Sequence, residues 1–217
     1  MSRQVIAIDG PAASGKSSVS KGVAANLGFL FVSSGYFYRA LSWGVVRDGI
    51  AQESLDEWIT HRCLELKESV TGSSLLLDGS DATPHLSDPE VAAMVSKIAA
   101  FPSVRNLVNA NLRALAKCHD LVIEGRDIGS VVFPETPYKF YLDASADERA
   151  RRRAREGAVD SVVERDRLDT SRLTAPLVIP QGAIVIDTTH LGLEQVVETV
   201  LGYMEKLKGC SRSKNLS

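Results

Sequence analysis

At 217 residues the chain is long for one core and short for two, so one core with inserted flaps is expected. An apolar share of 44% belongs to a packed globular protein, and a formal charge of −2 argues against overall attraction to nucleic acid or an anionic membrane. Cys63, Cys118 and Cys210 are odd in number, far apart and lack any C-x-x-C, which argues against a structural zinc site and suits a reducing, cytoplasmic setting. No apolar stretch reaches membrane-spanning length, and the first apolar run is too short for a signal peptide.

The first predicted strand covers 5–9 and contains Val5-Ile6-Ala7-Ile8. It leads into Gly10-Pro11-Ala12-Ala13-Ser14-Gly15-Lys16-Ser17, which fits G-x-x-x-x-G-K-[ST], followed by a helix over 16–26. The glycines let successive main-chain N–H groups converge on phosphate oxygens, and the helix N-terminus adds positive potential. Gly10 to Ser17, with Ser18, are therefore candidate residues for binding a nucleoside triphosphate, ATP or another: Gly10, Pro11, Ala12, Ala13, Ser14, Gly15, Lys16, Ser17 and Ser18. Lys16 would reach the β- and γ-phosphates, and the Ser17 hydroxyl would ligate Mg²⁺.

A strand over 29–32 and a helix over 35–48, with Leu41, Val45 and Val46, come next. Residues 61–85 alternate and turn at Asp78-Gly79, the pattern of a small antiparallel flap. Val104, Leu107, Val108, Leu112 and Leu115 mark a helix over 103–117, before strands at 121–124 and 139–142. Ser145-Ala146-Asp147-Glu148 has the form of a capping box. Arginine crowds the segment after it: Arg149, Arg151, Arg152, Arg153, Arg155, Arg165, Arg167 and Arg172. A strand over 183–187 and a helix carrying Leu193, Val196, Val197, Val200, Leu201 and Met204 complete the pattern, and the polar tail 208–217 is expected to fray.

Short apolar strands alternating with helices predict an α/β fold with a mostly parallel sheet. The expected organisation is one domain: core at about 1–60, 100–145 and 173–207, insert at 61–99 and lid at 146–172. A phosphate loop alone fits GTPases, transport ATPases and small-molecule kinases. The chain has neither N-K-x-D nor L-S-G-G-Q, and its arginine excess suits a polyanion. Phosphoryl transfer spreads negative charge over the moving group, and guanidinium forks stabilise it.

Several stretches together resemble the bacterial-type cytidylate kinases, a family of P-loop nucleoside-monophosphate kinases. They are the phosphate loop, Ser33-Ser34-Gly35-Tyr36-Phe37-Tyr38-Arg39, 96–105, Glu124-Gly125-Arg126-Asp127-Ile128-Gly129 and Arg165-Asp166-Arg167-Leu168-Asp169-Thr170-Ser171-Arg172. The resemblance implies a three-layer α/β/α P-loop NTPase fold with a five-stranded parallel sheet in order 2-3-1-4-5. It also implies that the flap is a monophosphate-binding insert and that the arginine segment is a lid. The implied reaction passes the γ-phosphoryl of ATP to CMP or dCMP with Mg²⁺, in a monomer. By the same resemblance Lys16, Arg39, Arg126, Arg165 and Arg172 are catalytic. Ser34, Gly35, Arg39, Ser96, Arg105, Arg126, Asp127, Arg165, Asp169 and Arg172 bind CMP. Arg39 and Arg126 hold the acceptor phosphate. Ser96 and Asp127 accept from the cytosine amino group, Arg105 donates to the ring, and Asp169 accepts from a ribose hydroxyl.

Asp127 has a second reading as an orienter of Arg126. The chain departs from the family pattern at Ser33, where aspartate is usual, in a shorter stretch between 157 and 165, and at Pro180-Gln181-Gly182-Ala183. Another P-loop kinase, for a different nucleotide or a small hydroxyl compound, and a non-catalytic nucleotide-binding module are the alternatives.

Overall fold

The computed structural model describes residues 3–69, 72–155, 166–167, 169–171 and 175–213. In chain order the elements are β1 (Val5–Asp9), α1 (Lys16–Leu27), β2 (Leu30–Ser33), α2 (Ser34–Asp48), a 3₁₀ turn (Gln52–Ser54) and α3 (Leu55–Ile59). The antiparallel strands β3 (Leu64–Ser69), β4 (Gly72–Leu77) and β5 (Ser80–Asp81) follow, then a 3₁₀ turn (Thr83–His85), α4 (Pro89–Ile98) and α5 (Pro102–Cys118). After these come β6 (Leu121–Gly125), a π turn (Ile128–Val132), β7 (Tyr138–Asp143), α6 (Ala146–Arg155), β8 (Ile184–Asp187) and α7 (Leu193–Ser213). Among the described residues no single helix is long and apolar enough to cross a membrane.

The chain divides into two compact units, Met1–Val32 with Leu115–Ser217, and Ser33–Ala114. The large sheet has the order β2-β6-β1-β7-β8. Counted within that sheet alone, this is 2-3-1-4-5. β1 pairs in parallel with β6 (Ile8↔Glu124, Asp9↔Gly125) and with β7 (Ile6↔Tyr138), and β7 pairs in parallel with β8. Ile6, Ala7 and Ile8 are fully buried, because a parallel strand is covered on both faces. In the first unit Val19, Val23 and Ala24 of α1 join Val196, Val197, Val200 and Met204 of α7 in one apolar cluster with Ile6, Ile8, Phe140 and Leu142. The helices approach closely at Gly22, where a Cβ would meet Val197 Cγ2 at 2.8 Å. The last helix continues to Ser213, past Lys208.

In the second unit α2 packs on α4 and β4. Gly44 permits this, since a Cβ there would sit 2.4 Å from Leu77 Cδ2 and 2.9 Å from Trp58 Cη2. The hairpin between β4 and β5 turns at Asp78-Gly79, with φ 51 and 80, as a two-residue turn with both central residues left-handed requires. The flap expected from sequence is a three-stranded antiparallel sheet, β3-β4-β5. Strand and helix limits differ from the sequence expectations by a residue or so, the usual uncertainty of element ends. Helices α3 and α4 were not among the expected elements. In α4, Val91, Val95 and Ile98 are the buried residues, at helical spacing.

Candidate active site

β1 delivers the chain to the phosphate loop at a fixed point, because Asp9 is the last residue in register with β6 and β7. Gly10 is obligatory: its φ is 149, and a Cβ would lie 2.1 Å from Leu142 O. Ala13 (φ 58) and Gly15 (φ 89) also adopt left-handed backbone, and α1 begins at Lys16. Such alternation curls a loop so that its N–H groups line a concave face. Lys16 is buried, and its Nζ donates to Pro11 O at 2.5 Å and to Ser14 Oγ at 3.4 Å. Ser14 O is steadied by Thr188 just after β8. The Thr188 hydroxyl lies 3.1 Å from Ser14 O and 3.0 Å from Asp143 O, and it accepts from Arg152 at 3.0 Å.

Charged groups cluster behind this loop. Asp9 accepts from the N–H groups of Ile128 and Gly129 at 2.8 and 2.7 Å. Burial nonetheless pushes its carboxyl up to about 6, with Asp127 adding to the rise and the two N–H groups and Lys16 opposing it. Burial brings the Lys16 ammonium down to about 7, helped by Arg126 and opposed by Glu124, Asp9 and Asp169. Ser17 donates to Glu124 Oε1 at 2.8 Å. Arg126 Nε donates to the buried Asp169 at 2.7 Å, and its Nη1 to Gly125 O at 3.4 Å.

Helix α6 carries the first of the crowded arginines, and three of those described meet carboxylates. Arg151 and Arg152 bond Glu148, while Arg149 bonds Asp166. The capping box is half made. Ser145 Oγ accepts from Glu148 N–H at 3.3 Å, but the Glu148 carboxylate turns to the arginines, and Ser145 N–H is taken by Thr189 Oγ1 at 2.9 Å.

Within the second unit, Ser34 and Gly35 form the first turn of α2, and Ser33 is its N-cap without a side-chain cap bond. Arg39 on α2 donates to Leu86 O at 2.7 Å. Arg105 on α5 is buried, lies over the Tyr38 ring at 5.8 Å and donates to Ala99 O at 3.3 Å. That carbonyl is one turn beyond the half-buried Ser96 of α4. Arg165 and Arg172 lie outside the described residues.

A family model described as cytidylate kinase matches residues 6–206. Curated cytidylate kinases from Caldanaerobacter subterraneus, Geobacillus sp. and Klebsiella pneumoniae are 40%, 39% and 38% identical. The alignments cover 93%, 90% and 94% of this chain and 94%, 94% and 96% of those proteins. The chain belongs to the cytidylate kinase family.

For a member of this family, the first unit gathers Lys16, Ser17, Arg126 and Asp169, and the second carries Arg39, Ser96 and Arg105 on three helices. Asp169 is the residue bonded to Arg126 Nε, the orienting position that the sequence reading considered for Asp127. The sequence reading gave no role to Asp9, Glu124, Thr188, Arg149 or Asp166. Asp9 and Glu124 were discernible as acidic residues closing apolar strands beside the loop motif. Arg149 and Asp166 stand out only as members of the arginine-rich segment and its motif, and Thr188 has no local signal, since the partners of all three stand far away in sequence.

Proposed function

We propose that the protein transfers the γ-phosphoryl group of ATP to CMP or dCMP, producing ADP and CDP or dCDP. One observation carries the reading. A loop with three left-handed residues opens a helix at a buried lysine, in a chain whose relatives bear the name cytidylate kinase. The acceptor phosphate has a second pKa near about 6, so it is already largely dianionic at neutral pH and needs no general base. The protein's task is to bring two anions together and to stabilise the charge on the moving group.

Lys16 is assigned the donor phosphates. Arg39 and Arg126 hold the acceptor phosphate, and Arg165 and Arg172 stabilise the transferring group. Ser96 and Asp127 accept from the cytosine amino group while Arg105 donates to the ring. Uracil reverses the donors and acceptors at positions 3 and 4, and each buried group left unpaired costs about 1–3 kcal/mol. Asp169 aligns Arg126 as well as facing the ribose. Among the described residues no group of three or more His, Cys, Asp or Glu side chains could hold a metal ion. A hydroxyl and a carboxylate 2.8 Å apart, Ser17 and Glu124, suit instead a hard cation that retains water and phosphate ligands. Mg²⁺ is that cation in this reading, and when bound it neutralises charge on the β- and γ-phosphates. The reading further takes the chain as a cytoplasmic monomer acting as one kinase module.

An ATP-coupled assay with Mg²⁺ across CMP, dCMP, UMP, AMP and GMP tests the proposal. Turnover of CMP or dCMP at least tenfold better in kcat/KM than of the others is expected. Failure to phosphorylate either cytidine nucleotide would overturn it.

A further inference from the structure

The outer edge of the phosphate loop is held by two side chains, Arg149 and Asp166, that no substrate role accounts for. The Pro11–Ala12 peptide is gripped on both sides. Lys16 donates to Pro11 O at 2.5 Å, and Ala12 N–H donates to Asp166 Oδ1 at 3.0 Å. The next peptide is held by its carbonyl, Ala12 O accepting from Arg149 Nη1 at 3.3 Å. Arg149 also donates to the Asp166 carboxylate and, through Nε, to Ala144 O at 3.0 Å. One carboxylate and one guanidinium thus join the loop after β1, the turn after β7 and a segment distant in sequence from both. Both side chains are mostly buried, at 13% and 18% exposure, so the pair is shielded from the screening that weakens surface ion pairs.

Peptide geometry gives this bracket a consequence. In a planar trans peptide the C=O and the following N–H point in opposite directions. Drawing Ala12 O toward Arg149 turns Ala13 N–H to the other face of the loop, and drawing Ser14 O toward Thr188 does the same for Gly15 N–H. Ala13 sits at φ 58, a conformation that a non-glycine residue keeps only when its surroundings enforce it. Asp166 takes the Ala12 N–H, which points away from Pro11 O and toward the bracket.

We propose that Asp166 is a positioning residue for the donor nucleotide. With Arg149 it fixes the Pro11–Ala12 and Ala12–Ala13 peptides of the phosphate loop, so that the N–H groups beyond them are set for phosphate before ATP arrives. The inference rests on the loop's proposed role in binding ATP. It needs no contact between Asp166 and substrate, and in this role the carboxylate acts only through the loop.

The test compares wild type with Asp166→Ala, Asp166→Asn, Arg149→Ala and the Arg149→Ala/Asp166→Ala pair, reading ADP affinity with a fluorescent ADP and CMP affinity by calorimetry. Asp166→Ala should weaken ADP about tenfold, the usual scale for losing a charge-assisted hydrogen bond, with CMP affinity within twofold of wild type. Asp166→Asn keeps an oxygen for Ala12 N–H and loses the ion pair, so about a threefold loss is expected. The double variant should lose less than the product of the two single losses, because both act on one bracket. ADP affinity within twofold of wild type in Asp166→Asn, or equal losses for ADP and CMP, would overturn the inference. The asparagine variant decides the matter if the alanine variant fails to fold. ADP binding is read without turnover, so a chain that binds ADP but leaves CMP untouched would sink the proposed reaction alone. A wild-type chain that binds no ADP would remove both.

Discussion

Asp9, Glu124 and Arg126 of the first unit sit at or just beyond the C-terminal ends of parallel strands, whereas Arg39, Ser96 and Arg105 of the second stand on the helices α2, α4 and α5. The difference matters for what each unit can recognise. Sheet register fixes a strand end, here Ile8↔Glu124 and Asp9↔Gly125, and so fixes the path of the turn that leaves it. Main-chain donors can then be held to hydrogen-bond tolerance, as a phosphate requires. Helix faces offer side chains on longer stems, suited to reading the edge of a base. The charges differ in the same sense. In the first unit burial drives charged groups toward neutrality, raising the Asp9 carboxyl and lowering the Lys16 ammonium, while the attraction between the two opposes both shifts. In the second, Arg39 and Arg105 lean on main-chain carbonyls and an aromatic ring.

The hardest test of this contrast is Lys16→Ala. It should lower kcat by on the order of a hundredfold or more in initial-rate assays with ATP and CMP, because the cup loses its one ammonium. A variant within threefold of wild type would mean that the first unit does not hold the reacting phosphates. Arg105→Ala should instead raise the KM for CMP roughly tenfold to a hundredfold, while leaving the KM for ATP within twofold. Equal changes for both substrates would erase the division of labour drawn above.

Smaller effects probe how each unit is built. Gly44→Ala should destabilise the protein by about 1–3 kcal/mol in urea unfolding, since the added methyl meets Leu77 and Trp58. Gly202→Ala on α7 has open space at the same atom and should be neutral, or stabilising by up to about 1 kcal/mol. The finest probe is pH. The folded-state pKa of Asp9, about 6, lies above the usual 3.8. The folded chain therefore holds that proton more tightly than the unfolded chain. This contribution to stability is whole below about pH 3.8 and lost as pH rises through about 6. Asp9→Asn should flatten that part of the Tm–pH curve whatever its effect on the baseline. An unchanged slope would show that Asp9 is not the group responsible.

Much of the first unit was legible because its signals are local. A glycine-bearing loop between an apolar run and a helix is a contiguous pattern, and the strands of a sheet covered on both faces read as apolar runs at 5–9, 121–124 and 139–142. The second unit was harder to read. The Asp78-Gly79 turn was plain, since few residue pairs accept two left-handed conformations. The longer β3–β4 pairing and helix α4 were merged into one insert, although Val91, Val95 and Ile98 carried a helical period.

By itself the sequence determined the α/β class, the position and chemistry of the phosphate loop and the arginines singled out as candidates. These depend on short-range rules: backbone freedom at glycine, hydrophobic period and the spacing of a motif. Tertiary structure decided which charges meet. Asp169 lies 43 residues from Arg126, and Asp166 lies 154 residues from Ala12, yet each pair is hydrogen-bonded. No local pattern encodes such pairings. The parallel sheet brings Ala12 and Arg126, each just beyond a strand end, to one edge, and Asp166 and Asp169 reach that edge from a segment after α6, where burial makes an unpartnered charge too costly to leave alone.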